Sequence, residues 1–220
     1  MTVQVTAAGQ SVAVMRDKSG NGRHMVQASA LSRPTYQTDG VLHWLQFDGV
    51  DDSFGASAFN WGSDEATLVF GARKTLDTAT GVLFESSAAS TSSAGALAIF
   101  APPAGALNAG NYDFRTKGTT SSDLRAGGYP TPNSAVLTGL AKISTDLAKL
   151  RVNGVEAASS GSDQGTGAFG AHPIYIGRRN NSIFPFQGRL YGATLFNRVL
   201  TAPEILSTEA WISAKTGAGA

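Results

Sequence analysis

The chain has 220 residues, a formal net charge of +1, 42% hydrophobic and 15% charged residues, 26 glycines and no cysteine. This composition is too apolar for disorder, and the lack of any basic run argues against a nucleic-acid partner. The absence of cysteine excludes disulfides, thiolate nucleophiles and thiolate metal sites, and no apolar run approaches the roughly 20 residues of a membrane helix, so no membrane insertion is expected.

The first residues, Met1-Thr2-Val3-Gln4-Val5, show no basic region leading into an apolar run, so no signal peptide is expected. Short runs of alternating apolar and polar residues then recur between turn residues. Residues 12–15 precede a glycine-rich loop. Residues 43–47 alternate, with His43, Leu45 and Phe47 on the side expected to face a core and Trp44 and Gln46 on the other. Further runs lie at 67–70, 82–84, 97–100, 112–115, 134–138 and 148–152. Asn153-Gly154 is a hairpin signal because both residues tolerate positive φ, and 155–157 reads as the return strand. Runs at 174–177 and 188–196 complete the set. Roughly a dozen such runs predict an all-β fold of two packed antiparallel sheets.

Two segments break this rhythm. Residues 86–95 (SSAASTSSAG) read as a low-complexity, mobile surface loop. The C-terminus predicts a helix over about 202–215: Thr201 as N-cap, Pro203 in the first turn and Glu204 completing a capping box. Ile205, Leu206, Ala210, Trp211 and Ile212 form its apolar stripe, and Gly217 stops it. This helix is expected against an edge or end of the sandwich, anchored by Trp211. With no proline-rich linker and no fixed repeat, residues 1–220 read as a single domain with 216–220 as a frayed tail.

No catalytic residue is nominated. A glycosidase needs two carboxylates facing one groove, yet Asp51 and Asp52 are adjacent and Glu85, Glu156, Glu204 and Glu209 stand alone. Nor do His24, His43 and His172 have metal-ligand spacing. Asp17 and Asn21, in a tight glycine-rich loop, read first as caps of their own turn, and also offer oxygen donors suited to Ca²⁺. Asp48, Asp51 and Asp52 form a second acidic turn open to the same two readings. For ligand recognition, Trp61 and Tyr112 are the leading aromatics, with Trp44 facing outward and Arg178, in a polar loop, suited to an anionic sugar or a protein neighbour. Against each aromatic stands the role of core filler.

Three ordered stretches carry a family resemblance. The first is Asp17-Lys18-Ser19-Gly20-Asn21-Gly22-Arg23-His24 with Arg33-Pro34-Thr35-Tyr36. The second is Leu42-His43-Trp44-Leu45-Gln46-Phe47-Asp48-Gly49-Val50-Asp51-Asp52-Ser53. The third runs from Tyr175-Ile176-Gly177-Arg178 through Phe186-Gln187-Gly188-Arg189-Leu190-Tyr191 to Arg198-Val199-Leu200-Thr201 and Pro203-Glu204. Together they resemble the laminin-G-like, concanavalin A-like jelly rolls of bacteriophage and prophage virion proteins. That resemblance implies a two-sheet jelly roll on a virion surface, in tail fibre, tail tip or capsid. There it would bind bacterial surface glycan without catalysis. The alternatives on this fold are a structural or decoration protein contacting other virion subunits, a homo-oligomer included, and a glycan hydrolase. It also implies Ca²⁺ near such loops in some members, and further residues ahead of Thr6, so that an outer strand is expected to be missing or supplied by a neighbour.

Overall fold

The computed structural model describes residues 4–103 and 109–218. Its strands in chain order are β1 (Val14–Met15), β2 (Met25–Val26), β3 (Thr35–Thr38), β4 (His43–Asp48), β5 (Phe54–Asn60), β6 (Glu65–Lys74), β7 (Val82–Ser86) and β8 (Leu97–Phe100). They continue with β9 (Tyr112–Lys117), β10 (Ser121–Ala126), β11 (Asn133–Lys142), β12 (Leu147–Val152), β13 (Val155–Ser160), β14 (Ala171–Ile176) and β15 (Gln187–Phe196), and the chain closes with helix α1 (Ala202–Thr216). An eight-stranded sheet runs β1-β2-β5-β14-β7-β8-β9-β10, and a seven-stranded sheet runs β13-β12-β11-β6-β15-β4-β3. Neighbouring strands pair antiparallel throughout. This is the sandwich that the alternating pattern predicts.

β6 shows why these residues pack this way. Ala66, Leu68, Phe70 and Ala72 point between the sheets and join the main core. Their neighbours Val69 and Gly71 point to the other side, where α1 covers them. A strand with both faces covered reads as apolar throughout, and β6 lies at the centre of its sheet. The core between the sheets is rich in aromatic rings packed edge to face, such as Phe47 against Phe54 and Phe186 at 6.3 and 5.8 Å between centroids. Asn153 (φ 50°) and Gly154 (φ 79°) make the two-residue turn between β12 and β13, as their sequence predicts.

Helix α1 begins with the expected capping box: the Thr201 amide and hydroxyl both donate to Glu204 Oε2, at 2.9 and 2.8 Å. Glu204 also takes a bidentate pair from Arg198, and these contacts, Arg198 foremost, hold its carboxyl down at about 2. The helix does not sit at an edge. It lies across the outer face of the seven-stranded sheet, on β6, β11 and β15. Nor is Trp211 the anchor, since it is about half exposed while Ile212 is fully buried with Val69, Val136 and Ala218. Gly71 and Gly192, paired across β6 and β15, form the floor beneath it. A Cβ on Gly71 would lie 2.3 Å from Thr216 Cγ2 and 2.7 Å from Ile212 Cγ2. Residues 216–218 are not frayed: Thr216 and Ala218 are buried, and Gly217 turns the chain with φ 61°. Arg151 on β12 grips the buried Glu209 of the helix through Nε and Nη2, at 2.8 and 3.0 Å.

The low-complexity segment is also not a free loop. Ser86, Ser87 and Ser90 are fully buried, and the Ser87 hydroxyl and Ser90 amide both donate to Glu85 Oε1, at 2.9 and 2.6 Å. Small side chains let this segment lie flat on the sheet, and a buried carboxylate collects its donors.

Candidate functional site

The aromatics ranked first from sequence are inside the protein. Trp61 is 1% exposed, held between Phe59 and Phe169, and its indole N–H donates to Ser86 Oγ at 3.0 Å. Tyr112 is fully buried. Its hydroxyl donates to Asn133 Oδ1 at 2.9 Å, and burial drives its phenol far above the ordinary range. The Lys74 ammonium lies 5.0 Å from the Tyr112 ring centroid, paired with Asp77. Neither ring offers a platform to a ligand, because both fill the sandwich.

The two polar loops are likewise engaged with themselves. Asp17 Oδ1 accepts the Ser19 amide at 2.8 Å and Oδ2 accepts the Arg23 amide at 2.9 Å. The Ser19 contacts foremost, then Arg23, hold its carboxyl at about 2. Asn21 donates its side-chain amide to Ser19 Oγ at 2.8 Å. These are the contacts of a capped turn. Arg178 spans two loops, donating to the carbonyls of Ser182 at 2.7 Å and Asp51 at 3.4 Å. Among the described residues, the carboxylates that do gather within 4.8 Å are Asp48, Asp51 and Asp52. Asp48 Oδ1 accepts the Val50 amide at 2.8 Å, Asp52 Oδ2 accepts the Asp48 amide at 2.9 Å, and Asp51 Oδ2 accepts the Ser32 hydroxyl at 2.9 Å. Burial above all, then the charges of Asp48 and Asp51, pushes the Asp52 carboxyl up to about 6.

The two outer faces of the sandwich differ in charge. On the eight-stranded sheet, Tyr175, Glu85, Ala98, Arg115 and Asp123 fall in one row across β14, β7, β8, β9 and β10. Here three arginines each have an acid, while Lys117 of β9 donates to the Thr91 carbonyl at 2.7 Å and Arg23 lies over the Phe59 ring at 4.0 Å. Arg115 pairs with Asp123, Arg125 pairs with Asp113 at 2.7 Å, and Arg179 pairs with the buried Glu85 at 2.7 Å while its guanidinium lies 4.9 Å from the Phe184 centroid.

The seven-stranded sheet carries a different set beside α1. Register puts Thr35, Gln46, Arg189, Arg73 and Ser134 in one row over β3, β4, β15, β6 and β11. The next row begins with Gln37 opposite Trp44. A bulge between Leu190 and Gly192 brings Tyr191 alongside, 5.9 Å from Trp44 between centroids. Arg189 stacks on the Trp44 indole at 4.2 Å. These rings and guanidiniums are half-buried, firmly placed yet reachable from solvent. Neither Arg73 nor Arg189 forms an ion pair among the described residues. Asp39 feels the charge of Arg189 without pairing with it; the amides of Leu42 and Val41 are the main cause of its low pKa. Trp44 Nε1 and Arg73 Nε are buried without a hydrogen-bond partner. From Tyr191 a groove of about 240 Å³ continues between the β3–β4 turn and the helix, lined by Val41, Leu42, His43, Ala214 and Lys215. Sequence placed Trp44 on the outward side, but Arg73, Arg189, Tyr191 and Gln37 were not singled out. The alternation of β6 and β15 carries their orientation, and only strand pairing brings them together.

Residues 48–206 match the family model described as the concanavalin A-like lectin/glucanases superfamily. The chain belongs to this superfamily. Comparison with curated proteins finds no match. Among solved structures, this superfamily member resembles the botulinum neurotoxin serotype G binding domain with a TM-score of 0.67 at 12% identity, over 90% of this chain and 48% of that one. The receptor binding domain of the botulinum neurotoxin C/D mosaic serotype gives 0.62 at 12% identity, over 91% and 51%. The Ruminococcus gnavus IT-sialidase CBM40 bound to alpha2,3 sialyllactose gives 0.54 at 18% identity, over 75% of this chain and 97% of that one. At these identities the likeness is one of fold, and the chain spans about half the length of the two neurotoxin chains.

Proposed function

We propose that this domain binds carbohydrate without turning it over, and that the binding surface is the outer face of the seven-stranded sheet around Trp44. The observation that carries the reading is the Trp44–Tyr191 pair, standing on an outward face beside amide and guanidinium groups and opening into the groove along α1. A sugar ring has an apolar face that suits an indole or phenol, and a rim of hydroxyls that suits amide and guanidinium partners. The CBM40 likeness supports the reading, since that domain was solved bound to alpha2,3 sialyllactose. Support for a non-catalytic role comes from the opposite face, where Glu85, Asp113 and Asp123 are each clamped by an arginine and are not free as an acid–base pair.

In this reading the carbohydrate is a bacterial surface polysaccharide and the domain rides on a phage particle. The motif order across residues 17–24, 42–53 and 175–204 supports that placement. The test is binding of the labelled domain to a panel of bacterial cells and purified polysaccharides, with calcium and with chelator, beside Trp44→Ala. Saturable binding lost in Trp44→Ala supports the surface named here. Folded protein that binds no glycan transfers the role to contacts with other virion subunits.

A further inference from the structure

We infer that the ligand of the Trp44 surface is an acidic saccharide, whose carboxylate or sulfate sits between the guanidiniums of Arg73 and Arg189. The inference rests on the carbohydrate reading and adds its charge.

Arg73 and Arg189 are directly opposite residues of neighbouring strands. Like charges directly opposite one another in that position repel and are destabilising. Arg115, Arg125, Arg151, Arg179 and Arg198 each meet a carboxylate, and Arg33 and Arg178 donate to backbone carbonyls. At Arg73 and Arg189 no acid has been placed, and the flanking residues in the same row, Gln46 and Ser134, are neutral. Instead Gln46 turns its amide to the carbonyls of Gly188 and Phe47, at 3.0 and 3.1 Å. Arg73 keeps a buried, unpartnered Nε, and a buried donor without an acceptor is destabilising. An oxyanion seated between the two guanidiniums supplies the missing countercharge and accepts from their Nη groups, in the forked geometry that arginine favours. Lys215, on the helix wall of the adjoining groove, has the same sign. The sugar ring that bears the oxyanion then meets the Trp44–Tyr191 pair beside the Arg189 guanidinium, which covers one face of the indole. The stacked indole and the anion orient that guanidinium together.

The experiment compares, on the intact domain, a uronic-acid oligosaccharide, a sulfated one, a neutral one of equal length, and single-stranded DNA of matched charge. Titration calorimetry is run at low and high salt. The expected result is an acidic sugar bound at least about tenfold tighter than the neutral one, with the advantage shrinking in salt. Arg73→Gln and Arg189→Gln should each erase the preference, while Trp44→Ala weakens every saccharide. The two acidic sugars separate a carboxylate from a sulfate ligand, and preference for either supports the inference. A second readout guards against misfolding: without ligand, Arg73→Gln should raise Tm by about 1–3 °C in low salt, because it removes the repulsion. Equal binding of neutral and acidic sugars, unchanged in the arginine variants, overturns the inference and leaves the carbohydrate reading standing. Binding of no saccharide overturns both. DNA bound as tightly as the acidic sugar also overturns it, since the surface would then be a general polyanion site.

Discussion

Asp52 shows how a single side chain carries a pH signature. Its carboxyl, raised to about 6 from an ordinary 3.8, is an acid whose charged form is disfavoured in the fold. The sign follows directly: the cost is absent below the ordinary value, grows as pH rises toward about 6, and is constant above. Asp52→Asn keeps an oxygen for the Asp48 amide and removes the charge. It is therefore expected to raise Tm by about 2–4 °C at pH 8 and to change it little at pH 4, measured by calorimetry. Residue-scale reading from sequence is weakest for aromatics. Trp44, in a clean alternation, could be assigned a side. Trp61 and Tyr112 read as surface because their neighbours are polar or small, yet partners 25 and 21 residues away, Ser86 and Asn133, hold them inside. Arg73 and Arg189 come from strands 116 residues apart, and no local pattern announces their pairing.

The same limit appears at the scale of elements. Strong alternation and the Asn153-Gly154 turn were legible, as were the capping box and glycine stop of α1. β5 and β10 were not, because FGASAFN and SSDLRA contain too few large apolar residues to mark a buried face. The docking of α1 was also illegible, since two glycines rather than an apolar patch make its floor. That docking gives a graded prediction. Ile212→Ala should cost about 2–5 kcal/mol by removing a fully buried side chain, whereas Trp211→Ala should cost about 1 kcal/mol or less. Gly71→Ala forces Ile212 and Thr216 aside and is expected to cost about 1–3 kcal/mol. Gly192→Ala, whose new methyl would lie 3.2 Å from the terminal Ile212 Cδ1, should be milder. Denaturant titration of the four variants reads the order. The 86–95 segment gives another: its Ser90 amide should be strongly protected in hydrogen exchange, and Glu85→Ala, which strands Arg179, should cost about 3–5 kcal/mol and release that protection.

At the scale of the whole molecule, Arg115, Arg125 and Arg179 on one face are paired with acids while Arg73 and Arg189 stand together without one on the other, although the formal net charge is only +1. Composition reports the sum and hides the distribution. Ligand binding should therefore depend on ionic strength far more than the net charge suggests, and the association rate should fall as salt rises from about 50 to 500 mM, measured by stopped flow.

The glycine floor beneath α1 has an effect beyond stability. One wall of the groove, Ala214 and Lys215, belongs to the helix, and the opposite wall, Val41 to His43, belongs to the β3–β4 turn. The spacing between those walls is set by how deeply the helix settles on Gly71 and Gly192, residues that lie beneath its side chains. A methyl group added there acts as a shim, widening or tilting the slot from behind. Ligand preference in relatives of this domain can thus drift through changes hidden beneath the helix, with every contact residue left as it is.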